Sequence, residues 1–501
     1  MKLYSKLFQQ TTIYGLATVI PRMLSFILVP LYTTKGVLSS VADYGTVSLI
    51  FSWFVLFNVL LSYGMETAFF RFFYKEKDPK KVEGTTTIAL LISSAAFLIL
   101  SYLGKGSLSA WLDMNESHFS LVAKILVLDA AVVIPFAYLR AKGQAKKYAL
   151  IKIINVAVGL LLNVFFLLEL KHWKRTGSWF DFAIQEQFEI NYIFIANLIA
   201  SALTLLLLLP YYRRCSYQFD LKLLRSMLVY AWPILVAGLA FAVNETFDRV
   251  LLDRLLPSEE SDVQIGMYSA CYKIAIFMTL FSTAFRLGIE PFYFQQANQQ
   301  NPQRQYARIL ELFVLIGSLL FLTVVVFADF IKVVIVRSEA YWEAMWVVPI
   351  VLLANFFLGI YHNLSVWYKV TDRTNYGLVF SLIGAGVTLG INFWLIPSIG
   401  FKGSALATLS AYGIMALLSA YVGHSRYPIP YNWFKIGFYL SMSTIAAFVS
   451  FYYFRGNIYI GTLSLLMFIS TVLWMERRQI KQFKSLIFKA SNGNQSNNQV
   501  L

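Results

Sequence analysis

The sequence predicts an all-α polytopic membrane protein with about fourteen transmembrane helices, and three observations predict this class. Hydrophobic residues make up 58% of the 501-residue chain and charged residues only 14%, whereas soluble domains carry about 25% charged residues. Apolar stretches of about 20 residues, each long enough to cross the hydrocarbon core as a helix, recur along the whole chain. The ten-residue alternation of apolar and polar positions that marks a membrane β-barrel is not seen.

The predicted spans follow one another with short connections. We expect them at residues 11–34, 45–68, 86–104, 119–139, 149–170, 190–210, 230–252, 265–288, 309–330, 346–367, 376–396, 403–423, 436–454 and 458–475. The longest connection, near 171–189, leaves no room for a separate soluble domain. No small-residue cleavage site follows the first stretch, so we expect it to be retained as a helix.

Lys and Arg in the connections orient the helices. With a cytoplasmic N-terminus, 26 of these residues fall in inner segments and 10 in outer segments. This bias places the N-terminus inside, and an even number of helices returns the C-terminus to the cytoplasm. The same bias and anionic lipid headgroups account for most of the formal net charge of +16, so no nucleic-acid partner is expected.

A weak internal repeat relates the two halves of the chain. The segment from Tyr14 to Thr34 leads into DYGTVSLI, and a segment that starts at Tyr230 leads into IGMYSACYKI. Each half has a helix, an outer loop, and then Gly close to Tyr and Ser at the start of the next helix. Repeats of this kind are typical of transporters, whose substrate site lies between the two halves.

Ionisable residues inside the spans are the candidate functional groups. A charged side chain near the bilayer centre costs at least about 2.5 kcal/mol, so such residues usually face a cavity or a partner. The basic ones are Arg22, Lys124, Lys152, Arg249, Lys273 and Arg286, and the acidic ones are Glu66, Asp129, Glu245, Asp248 and Glu290. Basic residues outnumber acidic ones, and such a cavity suits an anionic phosphate or diphosphate better than a cationic drug.

The basic candidates for the cavity are Arg22, Lys273, Arg286, Lys124 and Arg249. Arg22 is the most informative because it lies near the middle of the first span, where it contacts substrate, forms an ion pair with Asp129, or does both. For Arg249, a local pair with Asp253 four residues further on is the alternative. Lys152 is expected to extend its ammonium toward the inner surface.

The acidic residues inside the spans are the candidates for binding a coupling ion. A membrane carboxylate can carry a proton or bind Na⁺, and Asp129, Glu245 and Asp248 are the candidates for that role. No P-loop, dinucleotide-binding pattern or zinc spacing occurs, and the two cysteines form no framework, so no resident cofactor or metal is expected. Most asparagines inside the spans are expected to form hydrogen bonds between helices.

Four segments resemble the polysaccharide-biosynthesis flippases of the MOP (multidrug/oligosaccharidyl-lipid/polysaccharide) superfamily, the group that includes bacterial O-antigen flippases. They are PRMLSFILVPLYTT with the following DYGTVSLI, GMETAFFRFFY at 64–74, FDRVLLDRLLPSEESDVQIGMYSACYKI at 247–274, and INFWLIPSIGFKGSALAT at 391–408. No single segment is diagnostic, but the four occur in the family's order, and with the helix count the resemblance covers most of the chain.

The resemblance implies a MATE-like arrangement. Two six-helix lobes, 1–215 and 216–430, enclose a central cavity, two further helices lie within 431–478, and 479–501 forms a basic cytoplasmic tail. The implied cargo is an undecaprenyl-diphosphate-linked oligosaccharide, moved from the cytoplasmic to the periplasmic leaflet of a bacterial inner membrane by alternating access. Such a protein is not an enzyme, is expected to act as a monomer, and works beside the glycosyltransferases or polymerase of its pathway.

The resemblance also suggests roles for individual residues. Related lipid II flippases hold the diphosphate with cavity arginines in the first helix and elsewhere, and Arg22 best matches such a position. Arg286 and Lys273 are looser matches. The basic residue in the second helix of that group has no counterpart here, since Arg71 lies at the cytoplasmic end, and this places a lipid II substrate in doubt.

The sequence is also compatible with two other functions. One is a cation-coupled multidrug exporter of the same fold. The other is a membrane-embedded polymerase or glycosyltransferase, which would use exposed carboxylates such as Asp113, Glu116, Asp181, Glu186 and Glu189. The short outer loops argue against the enzyme, because such enzymes usually carry their acid/base residues on a sizeable loop.

Overall fold

The computed structural model describes residues 20, 23, 26–170, 188–296 and 301–477. Over these residues the backbone is helical apart from connections and one isolated bridge between Lys35 and Leu38. A short helix, α1, covers Leu28–Tyr32. Thirteen longer helices of membrane-spanning length and hydropathy follow: α2 Val41–Lys75, α3 Pro79–Leu103, α4 Glu116–Ala141, α5 Ala145–Glu169, α6 Glu189–Arg214, α7 Leu221–Leu255, α8 Ser258–Glu290, α9 Pro302–Val326, α10 Glu339–Val370, α11 Asn375–Ile399, α12 Phe401–Arg426, α13 Trp433–Tyr453 and α14 Ile458–Met475.

The prediction of an all-helical, polytopic membrane protein is confirmed. Each of the thirteen long helices coincides with one of the predicted spans from 45–68 onward. The first predicted span, 11–34, falls mostly outside the described residues, and α1 is the end of it. The connection at 171–187, with Asp181 and Glu186, and the tail at 479–501 also lie outside them.

Polar residues at the span boundaries start several of these helices. The hydroxyl of Ser40 accepts a hydrogen bond from the backbone of Asp43, whose carboxylate accepts from the backbone of Ser40 in return. Asp220 caps α7 by accepting from the backbone of Lys222. Such caps satisfy the amide groups that the first turn of a helix leaves without partners. In lipid these groups would be costly, which is why the caps lie at the ends of the apolar segments.

The long helices α2 and α8 are interrupted within the membrane. α2 breaks at Tyr63 and Gly64, which both adopt positive φ angles of 33° and 70°. α8 contains a short 3₁₀ turn, Lys273–Ala275. A 3₁₀ segment in the middle of a helix often marks a hinge, and irregular backbone at membrane depth is tolerated only inside protein or beside a water-filled space.

The described helices pack mainly in two groups, one from each half of the chain. α4 packs on α3 and α6, and α5 packs on α6, whereas α10 and α11 both pack on α12, and α9 packs on α10. α7 and α8 both contact the two groups, because α7 packs on α2 and α11 and α8 packs on α2 and α10. α13 and α14 pack against α9, on the outside of the second group.

Two ion pairs occupy corresponding places in the two groups. Glu66 near the inner end of α2 lies 2.8 Å from Arg140 at the inner end of α4. Glu290 at the inner end of α8 lies 2.7 Å from Lys369 at the inner end of α10. Since α8 and α10 follow α2 and α4 by six helices each, these contacts have the relationship that the internal repeat predicts.

Candidate functional site

A buried ion pair joins α7 to α8. The Arg249 Nη1 atom lies 2.8 Å from Asp248 Oδ1, and Arg249 Nε donates to Ser269 Oγ at 3.2 Å. The second carboxylate oxygen, Asp248 Oδ2, accepts from Tyr268 at 2.7 Å. The guanidinium also lies over the Tyr268 and Tyr272 rings, at 5.4 and 4.7 Å from their centroids. Charge, hydrogen bonds and aromatic faces therefore compensate the buried Arg249.

The prediction that Arg249 pairs with Asp253 is wrong. The guanidinium turns toward Ser269 of α8, where Asp248 also points. Asp253 instead lies near Arg254, at 3.8 Å. Sequence spacing gives the residues that share a helix face, but the neighbouring helix decides which way a long side chain bends. Arg249 thus ties α7 to α8 in this conformation.

Glu245 and Lys273 are the accessible charges of the same region. Both side chains are exposed, although Asn244 before Glu245, and Cys271 and Ile274 around Lys273, are buried. Glu245 lies one helical turn before Arg249 on α7, and Lys273 begins the 3₁₀ turn of α8. The electrostatic neighbours of Lys273 are Arg249 and Glu245. An ammonium and a carboxylate, both exposed side chains, therefore lie near one another at a break in α8.

Asparagines inside the spans form the hydrogen bonds between helices that the sequence predicts. Asn244 on α7 accepts from Thr388 on α11 at 2.8 Å and donates to the carbonyl of Ser381 at 3.2 Å. Further pairs of this kind are Asn155–Thr204, Asn163–Tyr32, Asn355–Thr279 and Asn363–Tyr293. These hydrogen bonds stabilise the contacts between helices.

The first half of the chain has its own polar group inside the membrane. Asp129 on α4 accepts from the hydroxyl of Ser201 on α6 at 2.8 Å. Lys152 on α5 interacts electrostatically with Asp129 and lies over the Phe136 ring, at 4.3 Å. Lys124, one to two turns before Asp129, is exposed. The proposed partner or cavity residue Arg22 lies outside the described residues, so its pairing with Asp129 stays a prediction.

Arg286 contacts His362, a residue that the sequence did not single out. Its Nη1 atom lies 3.4 Å from Nε2 of His362 on α10, and both side chains are half-buried. The Glu290–Lys369 pair follows one turn closer to the inner end. The signal that could have identified His362 is its place as the single histidine of an apolar span, seven residues before Lys369.

The two halves are closed against one another at one end of the bundle, which the loop charges place outside. There α2 crosses α8 at Gly45 and Gly266, the corresponding glycines of the internal repeat. A Cβ atom at Gly45 would lie 1.9 Å from the Asp262 carbonyl oxygen, and one at Gly266 would lie 2.2 Å from the Val41 carbonyl oxygen. Only glycine permits backbones to approach this closely.

Side chains extend this outer closure. Thr33 donates to the carbonyl of Ile335 at 3.1 Å, which joins the start of the chain to the outer segment before α10. The Tyr44 and Tyr341 rings meet edge to face at 6.0 Å. The described outer ends of the two halves are therefore packed together, as in a transporter that does not open outward.

The model of a family described as polysaccharide biosynthesis protein matches residues 7–278, more than half of the chain. The chain belongs to this family. A second model, described as MatE, matches residues 233–394.

Individual relatives are distant. A curated relative, an uncharacterized membrane protein of Haemophilus influenzae, is 22% identical over 298 residues, which is 58% of this chain and 66%, just under two thirds, of that protein. A structure described as lipid II flippase MurJ in an inward closed conformation is 16% identical, with a TM-score of 0.72, and covers 94% of this chain and 100% of its own.

A second similar structure is an inward-facing multidrug resistance MATE family transporter of the MOP superfamily. It is 13% identical, has a TM-score of 0.60, and covers 83% of this chain and 94% of its own. At these identities the likeness shows the fold. This member of the polysaccharide biosynthesis family therefore shares its polytopic helical fold with these flippase and transporter structures.

Proposed function

We propose that this protein is a flippase that moves an undecaprenyl-diphosphate-linked oligosaccharide from the cytoplasmic to the periplasmic leaflet of a bacterial inner membrane. The family supports a role in polysaccharide biosynthesis, and the fold shared with a lipid II flippase supports movement of a lipid-linked substrate. Alternating access between the two halves is the expected mechanism.

The observation that carries the proposal is the set of accessible basic side chains in a bundle closed at its outer end. Lys273 and Lys124 are exposed and Arg286 is half-buried, all within membrane helices. A diphosphate in hydrocarbon is prohibitively costly, and Lys and Arg beside its route lower that cost. The headgroup would travel beside these residues while the polyprenyl chain stays in lipid.

Export of cationic drugs is the second candidate, favoured by the MatE match over 233–394 and by the exposed carboxylate of Glu245. The two functions differ in what deletion removes. Loss of the flippase eliminates surface polysaccharide and leaves drug tolerance intact, whereas loss of an exporter sensitises cells to cationic drugs and leaves polysaccharide intact.

Arg22 provides the point mutation for this test. We expect Arg22→Ala to abolish surface polysaccharide in a complemented deletion strain while the protein still inserts at wild-type levels. Lys35→Ala, an exposed basic residue in the following outer loop, is the matched control and should restore polysaccharide fully. Normal polysaccharide with Arg22→Ala would remove Arg22 from the mechanism, and drug sensitivity of the deletion strain with intact polysaccharide would overturn the flippase.

Coupling to H⁺ or Na⁺ belongs to the same proposal. Both oxygens of Asp248 already accept hydrogen bonds within the protein, so Glu245 and Asp129 are the stronger candidates. Flipping in proteoliposomes should respond to an imposed proton or sodium gradient, and Glu245→Gln or Asp129→Asn should abolish that response. We propose that the protein acts as a monomer and receives its substrate from the glycosyltransferases of the pathway.

A further inference from the structure

Four carboxyl groups from both halves of the chain meet beside the outer closure. Asp43 lies at the start of α2 and Asp113 in the connection between α3 and α4, whereas Asp253 lies near the outer end of α7 and Asp262 near the start of α8. Among the described residues, the charged groups whose fields act on Asp253 are Asp113, Asp262 and Arg254. Those that act on Asp262 are Asp113 and Asp43. Closing the outer end therefore brings carboxyl groups of the two halves together.

Asp262 lies at the contact between the halves. Its carbonyl oxygen faces Gly45 at the crossing of α2 and α8, and its side chain interacts with Thr46 of α2. Asp43 lies two residues before Gly45, and its carboxylate accepts a hydrogen bond from the backbone of Ser40. An outward opening that separates α2 from α8 would move Asp43 away from Asp262.

Asp253 is buried, and one of its carboxyl oxygens has no hydrogen-bond partner. The side chain is only 4% exposed, and no described group donates to Oδ2. Arg254 Nε lies 3.8 Å from this oxygen, beyond hydrogen-bond distance, and the Arg254 guanidinium donates to the carbonyl of Trp111. An ionised carboxylate here bears a desolvation cost and the repulsion of Asp113 and Asp262. A proton removes both.

Positive charge near the cluster is weak. Arg254 is the basic residue whose field reaches Asp253, and because its side chain is 41% exposed, water screens its charge. On the same outer segments, Lys105 pairs with Glu116 at 3.0 Å. Other titratable groups on the surrounding elements are Lys35, Tyr44, His118, Glu259, Glu260, Arg337, Glu339, Tyr341 and Lys402.

We propose that Asp253 and Asp262 make closure of the outer end pH-dependent, with a proton taken up on one of them when the two halves meet and released to the outer water when they separate. This property goes beyond the proposed function, since it sets when the outer end opens, whatever the cargo is. Because closing binds a proton, a lower pH on the outer side favours the closed state. One proton per closure changes the ratio of closed to open molecules by up to about tenfold per pH unit.

Spin-label distances at the outer end test the proposal. Labels on cysteines at exposed Ser107 and Ser398, with Cys215 and Cys271 replaced by serine, are measured in the purified full-length protein in nanodiscs at pH 8 and pH 5. Exposed aspartates stay ionised over this range, because their ordinary pKa is about 4. The ratio of molecules with the short, closed distance to those with a longer one should rise by about tenfold or more from pH 8 to pH 5.

Neutral variants identify the groups that titrate. The double variant Asp253→Asn, Asp262→Asn imitates the protonated state and should stay closed at both pH values. Asp113→Asn removes a repelling charge of the first half, and asparagine tolerates the φ angle of 52° at this position; it should raise the closed fraction at pH 8. Glu259→Gln, an exposed carboxylate at the start of α8, is the matched control and should follow pH like the parent.

Histidine titrates in the same pH range, so His118 at the outer end of α4 is the competing explanation. His118→Gln should keep the pH dependence, and its loss in that variant would assign the titration to the histidine and overturn the proposal. A closed fraction that is equal at pH 8 and pH 5 in the parent, or a double variant that still follows pH, would also overturn it.

The test does not depend on the folding of the double variant. If that variant aggregates on size-exclusion chromatography, Asp113→Asn decides, since a raised closed fraction at pH 8 supports the proposal and an unchanged one overturns it. None of these outcomes involves the cargo, so failure here leaves the flippase proposal to its own test by surface polysaccharide.

Discussion

The crossing of α2 and α8 at Gly45 and Gly266 allows a quantitative prediction about conformational change. In Gly45→Ala, the new methyl group would lie 1.9 Å from the Asp262 carbonyl oxygen. Carbon and oxygen normally approach no closer than about 3.3 Å, so the two helices must separate by about 1.4 Å. Both near atoms at this crossing belong to backbone, and no flexible side chain can move aside instead.

The free-energy cost follows from packing. Overpacking of one methyl group typically costs about 1–3 kcal/mol, and only a conformation in which the helices cross here bears that cost. If the protein alternates between outer-closed and outer-open states, Gly45→Ala should shift the equilibrium toward the outer-open state by about 5–150-fold. Gly266→Ala, with its contact to Val41, should act in the same direction.

Spin-label distances measure this shift. Exposed Ser107 lies in the outer connection between α3 and α4, and exposed Ser398 lies at the outer end of α11. Labels on cysteines at these two positions report the outer opening once buried Cys215 and Cys271 are replaced by serine. The outer distance distribution should lengthen in Gly45→Ala. Gly437→Ala on α13, where a Cβ meets nothing within 4 Å, is the control and should match the parent.

The same distance measurements can refute the closure at this crossing. An unchanged distance distribution, with wild-type flipping in proteoliposomes, would mean that a small helix shift absorbs the methyl group and that the crossing is no closure. Aggregation of Gly45→Ala on size-exclusion chromatography would indicate misfolding, in which case the pair Gly266→Ala, with a slightly longer 2.2 Å contact, and the larger Gly266→Ser decides. Graded opening across that pair supports the closure, and an unchanged distance in both refutes it.

Two further predictions concern ion pairs. Asp248→Ala should lower the free energy of unfolding by about 3–5 kcal/mol because it leaves Arg249 buried and uncompensated. The double variant Asp248→Ala, Arg249→Leu should recover much of that loss, and equal melting temperatures for the single and double variants would contradict this prediction. At the outer surface, burial tends to raise the pKa of Asp329, but hydrogen bonds from Lys332 and Arg455 outweigh it and hold that pKa below its ordinary value. The resulting stabilisation is present above about pH 4, the ordinary range for the pKa of Asp, and is lost as pH falls through the lowered pKa. The difference in melting temperature between wild type and Arg455→Gln should therefore be constant from pH 7 to pH 5 and shrink below pH 4.

The predictability of the helices has a physical cause. In lipid every backbone amide must be satisfied within its own segment, so length and hydropathy are enough to locate a membrane helix. The thirteen described spans therefore lie where the sequence places them. The interhelical role of asparagines followed from the same rule, because an amide in hydrocarbon needs a partner on a neighbouring helix.

The partners of charged residues were less predictable. Arg249 has Asp253 on its own helix face, yet it binds Asp248 because Ser269 and Tyr268 of α8 lie on that side. His362 and Arg286 are 76 positions apart in sequence, and no local pattern relates them. Long side chains reach several alternatives, and the neighbouring helix selects among them.

By itself the sequence determined the membrane class, the approximate positions of the thirteen described spans and the internal repeat, because these depend on composition and on contacts within one segment. Only the tertiary structure decided that the repeat's two glycines, Gly45 and Gly266, press against one another, that Arg249 is compensated inside the protein, and that Glu245 and Lys273 stay accessible. These features depend on how helices distant in sequence cross, and a crossing is set by the summed packing of both surfaces, which no single segment encodes.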